Sequence, residues 1–491
     1  MTTKLIVLGV YFSILIIIGL IASNKVKNIR DYYVGGKKLG YWIAAMSARS
    51  TGESGWLLIG VTGMGAMIGY SAFWIVIGEV LGVWFSWHFM ARKFKRMTNE
   101  YDSITIPDFL VSHFKSNNNL IRIVSATALS LFVIVYVSAQ IDITGKTFES
   151  FLGLNYYIGI FIGFGVVVLY IFSGGFLAVA WSDLFQGLLM FLALVSLPIV
   201  LYFHLNGQGS IIDSLRYIDP ALISIWGVNG FSWIGFMEIL GFLSIGIGFM
   251  GSPQVYVRFI AIKDELEIKR GKWVAIAYTL ITDSAAVSIG ILGRVLLTNK
   301  GDNPETLLGV AGENVLAILL SHTMPLVVIG IYSAAVLSAV MSTVDSLLVV
   351  ASSAITRDFY QQIFKPKVEE NSLVVLSKKI TIILAILALV LALFVSVFSP
   401  TRTVFWFVIF GWSGIAATFC PVIILSIFWK NYTEKGAITS MVVGFLSVPF
   451  FKFLAPHFLI IGTYINKLDV MLPSVIVAII GGCLVSVFTK N

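Results

Sequence analysis

The hydroxyl side chains of residues 335–360, AVLSAVMSTVDSLLVVASSAITRDFY, have the type and spacing expected of a cation site. Four small residues spaced i, i+3, i+4 and i+7 share one helical face: Ala339, Ser342, Thr343 and Ser346. Asp345 lies at the edge of that face. Hydroxyl and carboxylate oxygens are the ligands that hard cations prefer. The pattern indicates a cation site, while close helix packing is the alternative explanation for a stripe of small residues.

A second candidate is the stretch SARSTGESGWLLIG, residues 47–60, where Arg49 and Glu53 stand four residues apart in an otherwise apolar segment. A charged side chain at the centre of a bilayer costs about 2.5–3.5 kcal/mol and is by default functional. Glu53 follows Gly52, which weakens a helix from within. A broken helix exposes carbonyl groups and half-helix ends that can bind ions and solutes. We therefore expect Glu53 at a helix break, the alternative being an Arg49–Glu53 ion pair in regular helix.

Other ionisable residues also fall inside apolar runs: Glu79, Asp183, Glu238 and Asp283, with Asp142 near the end of one. Asp183 stands near a helix start, where it could complement the helix dipole or act as a ligand on an inward exit path. Both interpretations stay open. Among the aromatic residues, Phe249 is the one that we expect at a solute pocket, with core packing as the alternative.

The composition identifies an integral membrane protein. The 491 residues are 58% hydrophobic and 12% charged, with a mean hydropathy of +0.93, whereas soluble domains carry about 25% charged residues. Apolar runs of roughly 20 residues, long enough to cross the bilayer as helices, recur along the chain. We predict an all-α fold with thirteen membrane spans, at 3–22, 41–70, 71–91, 121–148, 155–175, 178–203, 232–260, 273–298, 325–357, 377–398, 401–429, 434–455 and 470–489.

The composition also excludes several functions. The two cysteines, Cys420 and Cys483, lie in apolar runs and predict neither a disulfide framework nor a metal site. The net charge of +8 is spread over several loops, so a nucleic-acid surface is not indicated. The chain carries no motif for a nucleophile–base pair, a metal cluster or an organic cofactor, so we do not expect an enzyme.

Most of the 33 Lys and Arg residues fall in alternate loops between the predicted spans. An excess of basic residues marks the cytoplasmic side of a membrane protein. This predicts a multi-pass protein of the cell membrane with its N-terminus outside and its C-terminus in the cytoplasm. The first span is predicted to be a retained helix and not a signal peptide.

Two of the predicted spans are interrupted. Span 41–70 contains the stretch around Glu53, and span 232–260 contains SIGIGFMGSPQ. They lie five spans apart and would enter the membrane from opposite sides, which is the arrangement of two inverted five-helix repeats around a central binding site. We predict four parts of the chain: 1–40 with the first helix, 41–203 and 204–429 as the repeats, and 430–491 with two peripheral helices.

Several motifs of the chain resemble the sodium:solute symporter family, and most closely its sodium/proline symporter branch. They extend over nearly the whole length: DYYVGGKKLG (31–40), ESGWLLIG (53–60), TIPDFL (105–110), SGGFLAVAWSDLFQ (173–186), SPQVYVRFIA (252–261), MSTVDSLLVVASSAITRDFY (341–360) and WKNYTEKGA (429–437). The resemblance implies a LeuT-type core of two inverted five-helix repeats and uptake of a small solute driven by Na⁺ as the coupling ion.

The resemblance also implies site residues. The family's shared sodium site matches five positions: Ser50, Glu53, Ala339, Ser342 and Thr343. A further sodium site, found in some relatives towards the cytoplasm, matches Asp183, Ser342, Asp345 and Ser346. The solute cavity matches Ser54, Gly55, Trp56, Phe249 and Pro253. The partners implied are a small organic solute and the lipid bilayer, and a monomer is compatible with this function.

The chain departs from the proline symporters at both breaks. They carry an Asp where this chain has Gly52 and an apolar residue where it has Glu53, and they carry Trp and Tyr where Ile245 and Phe249 stand here. The solute could therefore be proline, another amino acid or a small carboxylate. Arg49 could pair with Glu53, with Glu79 or with a carboxylate of the solute.

Sodium-coupled symport is the leading hypothesis. Its nearest rival is proton coupling through Glu53 or Asp345, because a carboxylate buried in the bilayer binds a proton more readily. A channel would need a continuous lined pore with repeated rings of ligands, which two isolated breaks do not predict. A solute receptor without transport is the remaining alternative, although no signalling domain is apparent.

Overall fold

The computed structural model describes residues 1–26, 28–205, 210–365, 367–459 and 461–490, without the side chains of 167, 169–174 and 371. Within these ranges the chain is helical, and its only extended pairing is an isolated parallel bridge between Leu39 and Ile262. The predicted all-α fold is confirmed.

Fifteen helices build the body of the protein: α1 Thr2–Ser23, α2 Tyr41–Trp56, α3 Thr62–Ile68, α4 Phe73–Phe85, α5 Ala91–Glu100, α6 Leu120–Leu152, α7 Tyr156–His204, α8 Trp233–Ser244, α9 Pro253–Ala261, α10 Glu265–Leu297, α11 Leu326–Ser353, α12 Glu370–Phe398, α13 Val404–Phe428, α14 Glu434–Pro449 and α15 Met471–Phe488. Wider π-helical turns join or extend some of them: Leu57–Val61, Ser86–Met90, Ala354–Phe364 and Phe450–Leu454. Shorter helices lie between them: Ile29–Val34, Ile106–Phe114, Ile211–Ile218, Pro304–Leu308, Val315–Thr323 and Gly462–Leu468.

Eleven helices of the described chain are long and apolar enough to cross a membrane. One of them, the run Tyr41–Glu100, contains two predicted spans. At 1.5 Å per residue its 60 residues would be about 90 Å long, three times the hydrocarbon thickness. The run bends at Gly69, which has a φ of +60°. The predicted count of thirteen spans stays a prediction.

The basic loops meet at one face of the bundle. Tyr41 at the start of α2 donates its N–H to Glu267 at 2.7 Å, and Arg96 at the end of α5 pairs with Glu265 at 3.1 Å. Both ends of the run from Tyr41 to Glu100 therefore lie at the same face, beside the start of α10. We call this the basic face.

The opposite face has its own ion pairs. Lys146 pairs with Glu313 at 2.7 Å, and Arg402 pairs with Asp142. At the N-terminus, Lys4 bonds the carbonyl of Phe151 at the same end of α6 as Lys146. At the C-terminus, Thr489 bonds Thr433, near the residue Glu434 that bonds Ser116 in a loop of the basic face. The two termini thus lie at opposite faces.

The two interrupted helices run in opposite directions. α2 begins at the basic face, next to Leu39, whereas α9 ends there, next to Ile262, and the bridge between Leu39 and Ile262 joins these two ends. The backbone of Leu39 accepts from Lys263 at 2.9 Å and donates to Ala261 at 3.1 Å. This antiparallel orientation agrees with the predicted inverted repeat.

Glycines let the second interrupted helix pack directly against α4. A Cβ at Gly78 would lie 2.7 Å from the Cα of Leu243, and one at Gly246 would overlap the carbonyl group of Gly78. Small residues permit such close backbone contact between membrane helices. The contact fixes the segment that follows α8 relative to α4.

Candidate functional site

The first helix break lies at Ser54, one residue after Glu53. Ser54 has φ 54° and ψ −179°, a conformation that costs a non-glycine residue about 1–3 kcal/mol. The backbone groups freed by the break find buried partners: Gly55 N–H donates to Gln140 Oε1 at 3.1 Å, and Trp56 N–H donates to Ser54 Oγ at 3.2 Å. The predicted interruption of this span is confirmed.

The second break lies at Gly251 and Ser252. Residues Ile245–Met250 form a tighter 3₁₀ turn after α8, and α9 begins at Pro253, which is buried. Trp412 Nε1 donates to the carbonyl of Ile245 at 3.0 Å and so holds this turn against α13. The interruption of the second span is confirmed as well.

Two hydroxyl groups of α11 bind the backbone of α2 just before its break. Ser342 Oγ donates to the carbonyl of Ser50 at 3.0 Å, and Thr343 Oγ1 donates to that of Thr51 at 2.9 Å. Both hydroxyls also lie 3.1 Å from the carbonyl of Ala339. Ser50, Ala339, Ser342 and Thr343, four of the five residues matched to the shared sodium site, therefore meet in one buried, oxygen-lined junction.

The side chain of Glu53 points to a different group. Its carboxylate pairs with Arg49, whose Nη2 lies 3.5 Å from Glu79 Oε2. The Arg49 guanidinium lies 4.4 Å from the centre of the Phe249 ring. Two of the three partners expected for Arg49 are thus present, Glu53 and Glu79, and the Glu53 carboxylate is engaged with Arg49 and not with Ser342 or Thr343.

A fixed cation occupies the region of the second predicted ion site. Arg258 of α9 is fully buried, and its Nη2 lies 2.9 Å from Asp183 Oδ2. The same nitrogen donates to Thr51 Oγ1 at 2.8 Å and to Ser346 Oγ. Asp183 and Ser346 are therefore brought together around a guanidinium, with Asp345 buried on the same helix as Ser346.

Sequence reasoning missed Arg258 as a buried residue, although it lies within the predicted span 232–260. The signal was present, because the criterion that selected Arg49 and Glu53 also applies to an arginine two residues before the end of a span. Its position near that end made a cytoplasmic loop the simpler interpretation. The structure contradicts that interpretation, because α2, α7 and α11 bury the Arg258 side chain.

The residues expected at the solute pocket form two contact groups. Phe249 packs against Trp412, with ring centres 5.0 Å apart, and its ring lies 2.6 Å from where a Cβ on Gly52 would be. Trp56 packs against Phe405 at 5.4 Å. Ser54 and Gly55 lie between these groups along α2. Sequence reasoning did not single out Trp412 or the Gly55 partner Gln140, although both are large polar or aromatic residues inside predicted spans.

Several buried polar atoms near the breaks have no hydrogen-bond partner in the part of the chain that the structure describes: Trp56 Nε1, Gln140 Nε2, Ser252 Oγ, Gln254 Nε2 and Gln254 Oε1. Buried polar groups are nearly always satisfied, so each exception needs an explanation. A polar solute bound between the breaks is one such explanation.

Comparison with known proteins gives a consistent result. Residues 32–444 match the model of the sodium:solute symporter family. The high-affinity proline transporter PutP of Bacillus subtilis (strain 168) is 36% identical over 438 residues, which are 88% of this chain and 89% of the relative. The osmoregulated proline transporter OpuE of the same organism is 33% identical over 490 residues, covering 99% and 94% of the two chains. A sodium/proline symporter of Staphylococcus aureus (strain NCTC 8325 / PS 47) is 33% identical over 498 residues, covering 99% and 93%.

Two solved structures share the fold. A Na⁺-coupled sialic acid symporter in a substrate-bound outward-open state aligns with a TM-score of 0.79 at 19% identity, over 99% of this chain and 98% of that one. The nucleobase-cation-symport-1 transporter MHP1, in a closed conformation with bromovinylhydantoin bound, aligns with a TM-score of 0.55 at 12% identity, over 93% and 95%. These likenesses confirm the LeuT-type fold class.

The contact between Arg258 and Asp183 generates a stability prediction. Arg258→Met leaves the Asp183 carboxylate buried without its cation, which should cost about 3–5 kcal/mol. Adding Asp183→Asn to this variant should restore most of the loss, because the unpaired charge is then gone. Thermal unfolding of the purified parent, the two single variants and the double variant measures the coupling.

Arg92→Met is the matched control for this cycle, since Arg92 pairs with Glu265 at 3.3 Å on the exposed basic face. Exposed ion pairs contribute about 0–1 kcal/mol. An Arg258→Met protein as stable as the parent, or a double variant no better than Arg258→Met alone, would contradict the buried pair.

Proposed function

Because this chain belongs to the sodium:solute symporter family, we propose that it takes up a small amino acid, with proline as the first candidate, by sodium-coupled symport. The named relatives are proline transporters and sodium/proline symporters, which supports both the solute and the coupling ion. One observation carries the proposal: two hydroxyl groups of α11 meet the backbone carbonyls of α2 immediately before its break.

We propose this junction as the sodium site. The carbonyls of Ser50 and Ala339 and the hydroxyls of Ser342 and Thr343 are neutral hard oxygens, and the hydroxyl groups keep lone pairs for a cation while they donate to carbonyls. Glu53 would complete the set through its backbone carbonyl, since Arg49 engages its carboxylate. Neutral ligands suit a monovalent ion that must also be released.

Sodium at this junction would couple ion and solute binding through α2. The ion would join α2 to α11 and so fix the conformation of the break at Ser54, where the solute is proposed to bind. Release of sodium towards the cytoplasm would loosen the junction and the solute site together. Such coupling is reciprocal, so the solute should strengthen sodium binding by the same factor. The assignment of residues 41–203 and 204–429 to two moving repeats belongs to this proposal.

For Asp183, Asp345 and Ser346 we propose a place on the inward exit path of the ion. Arg258 already supplies a positive charge to Asp183 at 2.9 Å. A sodium ion that arrives from Ser342 would compete with that guanidinium, which disfavours a long stay and promotes release into the cytoplasm. Asp183 would then assist exit and would not form a second tight sodium site.

The solute would bind between the two breaks. Ser54, Gly55, Trp56, Phe249 and Pro253 are proposed to line its site, together with Gln140 and Trp412. The unpaired polar atoms near Gln140 and Ser252 offer donors and acceptors, and the start of α9 presents a helix N-terminus that attracts a carboxylate. The replacement of the Trp and Tyr of proline symporters by Ile245 and Phe249 keeps another amino acid or a small carboxylate as the alternative solute.

We further propose that the basic face is cytoplasmic, so that the N-terminus lies outside the cell and the C-terminus inside. In a background without Cys420 and Cys483, a membrane-impermeant maleimide should label Val228→Cys in intact cells, since Val228 is 79% exposed at the opposite face. It should label the exposed position Lys38→Cys only after permeabilisation. The reverse labelling pattern would overturn this orientation.

Proteoliposomes containing the purified protein test the function itself. An inward sodium gradient at equal pH should drive accumulation of radiolabelled proline. An inside-negative potential should add about 2.3 kcal/mol of driving free energy for each sodium ion and each 100 mV. Uptake that follows a pH step and ignores sodium would establish the proton-coupled alternative through Glu53 or Asp345. Uptake without saturation or accumulation would indicate a channel.

Variants of the junction test the proposed sodium site in the same assay. Ser342→Ala and Thr343→Ala each remove one hydroxyl oxygen that would coordinate the sodium ion, a loss of about 1.5–3 kcal/mol in binding free energy. The sodium concentration for half-maximal uptake should therefore rise roughly tenfold to a hundredfold. Proline affinity at saturating sodium should change much less. Ser333→Ala is the control, because the Ser333 hydroxyl bonds only the Ile329 carbonyl of its own helix among the described contacts. An unchanged sodium response in both variants would rule out the junction.

A further inference from the structure

Three carboxylates of three different helices converge next to the first break. They are Glu53 of α2, Glu79 of α4 and Asp283 of α10, and each offers one oxygen that lies within 4.8 Å of the other two. All three residues are at most 1% exposed. They are far apart in sequence and meet only because α2, α4 and α10 pack together.

Each carboxylate has one buried oxygen without a hydrogen bond to the described part of the chain, and that oxygen of Glu79 lies 3.5 Å from Arg49 Nη2. Within the described residues, Glu53 Oε2, Glu79 Oε2 and Asp283 Oδ2 accept no hydrogen bond. The other oxygens are engaged where partners exist: Glu53 Oε1 with Arg49, and Asp283 Oδ1 with Thr282 Oγ1 at 3.1 Å. Three helices thus present unsatisfied acceptors to the same small region.

With all three carboxylates ionised, the charges of this cluster would not balance. Among the described ion pairs, Arg49 supplies one positive charge to three carboxylates. A buried carboxylate without a compensating charge is very unfavourable. The imbalance and the oxygens without hydrogen bonds both indicate that another positive charge, a metal cation or a proton, belongs in the cluster.

We propose that Glu53, Glu79 and Asp283 form a second sodium-binding site, separate from the junction at Ser342 and Thr343. The proposal rests on the proposed function, since it assumes a sodium-driven cycle. Three oxygens that lie within 4.8 Å of one another have a common point at most about 2.8 Å from each of them, close to the roughly 2.3–2.6 Å typical of oxygen ligands around Ca²⁺, an ion close to Na⁺ in size. Carboxylate oxygens are hard ligands suited to such an ion.

A bare ion suits this place better than the amino group of a solute. The Phe249 ring occupies the side of α2 next to Glu53, where even a methyl group on Gly52 would be 2.6 Å from it. Arg49 lies against the same ring. A solute would need room for its carbon skeleton at this wall, whereas an ion needs none.

The two ions would have different mechanical roles. The ion at Ser342 and Thr343 joins α2 to α11, whereas the ion at the carboxylates joins the last turn of α2 before the break to α4 and α10. Two ions per cycle would also multiply the attainable solute accumulation by about 50 for each 100 mV, relative to one ion.

The test is equilibrium binding of radioactive ²²Na⁺ to the purified full-length protein in lipid nanodiscs, without any solute. The parent should bind two ions per chain. Asp283→Asn, which retains the shape of the side chain, should bind one, and Glu79→Gln should do the same. Glu53 is left unchanged, because its backbone carbonyl is assigned to the other site. Asp213→Asn, at a side chain that is 69% exposed, is the control and should still bind two.

The variant Ser342→Ala/Thr343→Ala separates the two proposals. It should lose the junction ion and keep the carboxylate ion. A parent that binds a single ion, lost in Ser342→Ala/Thr343→Ala and kept in Asp283→Asn, would overturn the carboxylate site and leave the proposed function standing. A parent that binds no sodium would overturn both.

Proline binding by the same variants tests whether the solute, and not sodium, occupies the carboxylate site. If Asp283→Asn and Glu79→Gln still bind two ions but bind proline at least tenfold more weakly, the carboxylates hold the amino group of the solute, and the sodium site is wrong. Elution as a single monodisperse species and an unfolding midpoint near that of the parent confirm that each variant is folded.

Discussion

The structure depends on how the broken backbone of α2 is satisfied inside the bilayer. A helix that stops midway leaves carbonyl and N–H groups without partners, and such groups are tolerated only where protein or a polar cavity supplies them. Here Ser342 and Thr343 cover the carbonyls before the break, and Gln140 covers the N–H of Gly55 after it. The groups that satisfy the break are also the oxygens that a cation can use, so the solution to a folding problem and the proposed ion site are the same atoms.

About two turns of α2, from Ser47 to Glu53, serve three different clusters. Ser47 and Thr51 face Arg258 and Asp183, the carbonyls of Ser50 and Thr51 face α11, and Arg49 and Glu53 face α4 and α10. The helical period separates these directions by about 100° per residue. A change of one residue in register would therefore exchange the partners of all three clusters. This explains why a short, polar, glycine-containing stretch stands in an otherwise apolar span.

Much of this arrangement could be predicted from the sequence, because its signals are local. Glycine, proline and hydroxyl residues in SARSTGESGWLLIG and SIGIGFMGSPQ predicted both breaks, and the spacing of Ser342 and Thr343 predicted a shared face. Long-range convergence could not be predicted in this way. Glu79 and Asp283 were each recognised as buried acids, but nothing local indicates that they meet Glu53. The role of the Glu53 side chain was assigned by motif, whereas Arg49, one turn earlier, turns that carboxylate away from α11.

The short pairing of Leu39 with Ile262 has a mechanical consequence. It links Leu39, two residues before α2, to the end of α9 through backbone hydrogen bonds of 2.9 and 3.1 Å, so the halves of both interrupted helices at the basic face are tied together at their ends. A tilt of one half-helix would then be transmitted to the other through these two hydrogen bonds. Opening towards the basic face would be a concerted swing of this clamped pair, and the flexible points of that swing would be Ser54 and Gly251.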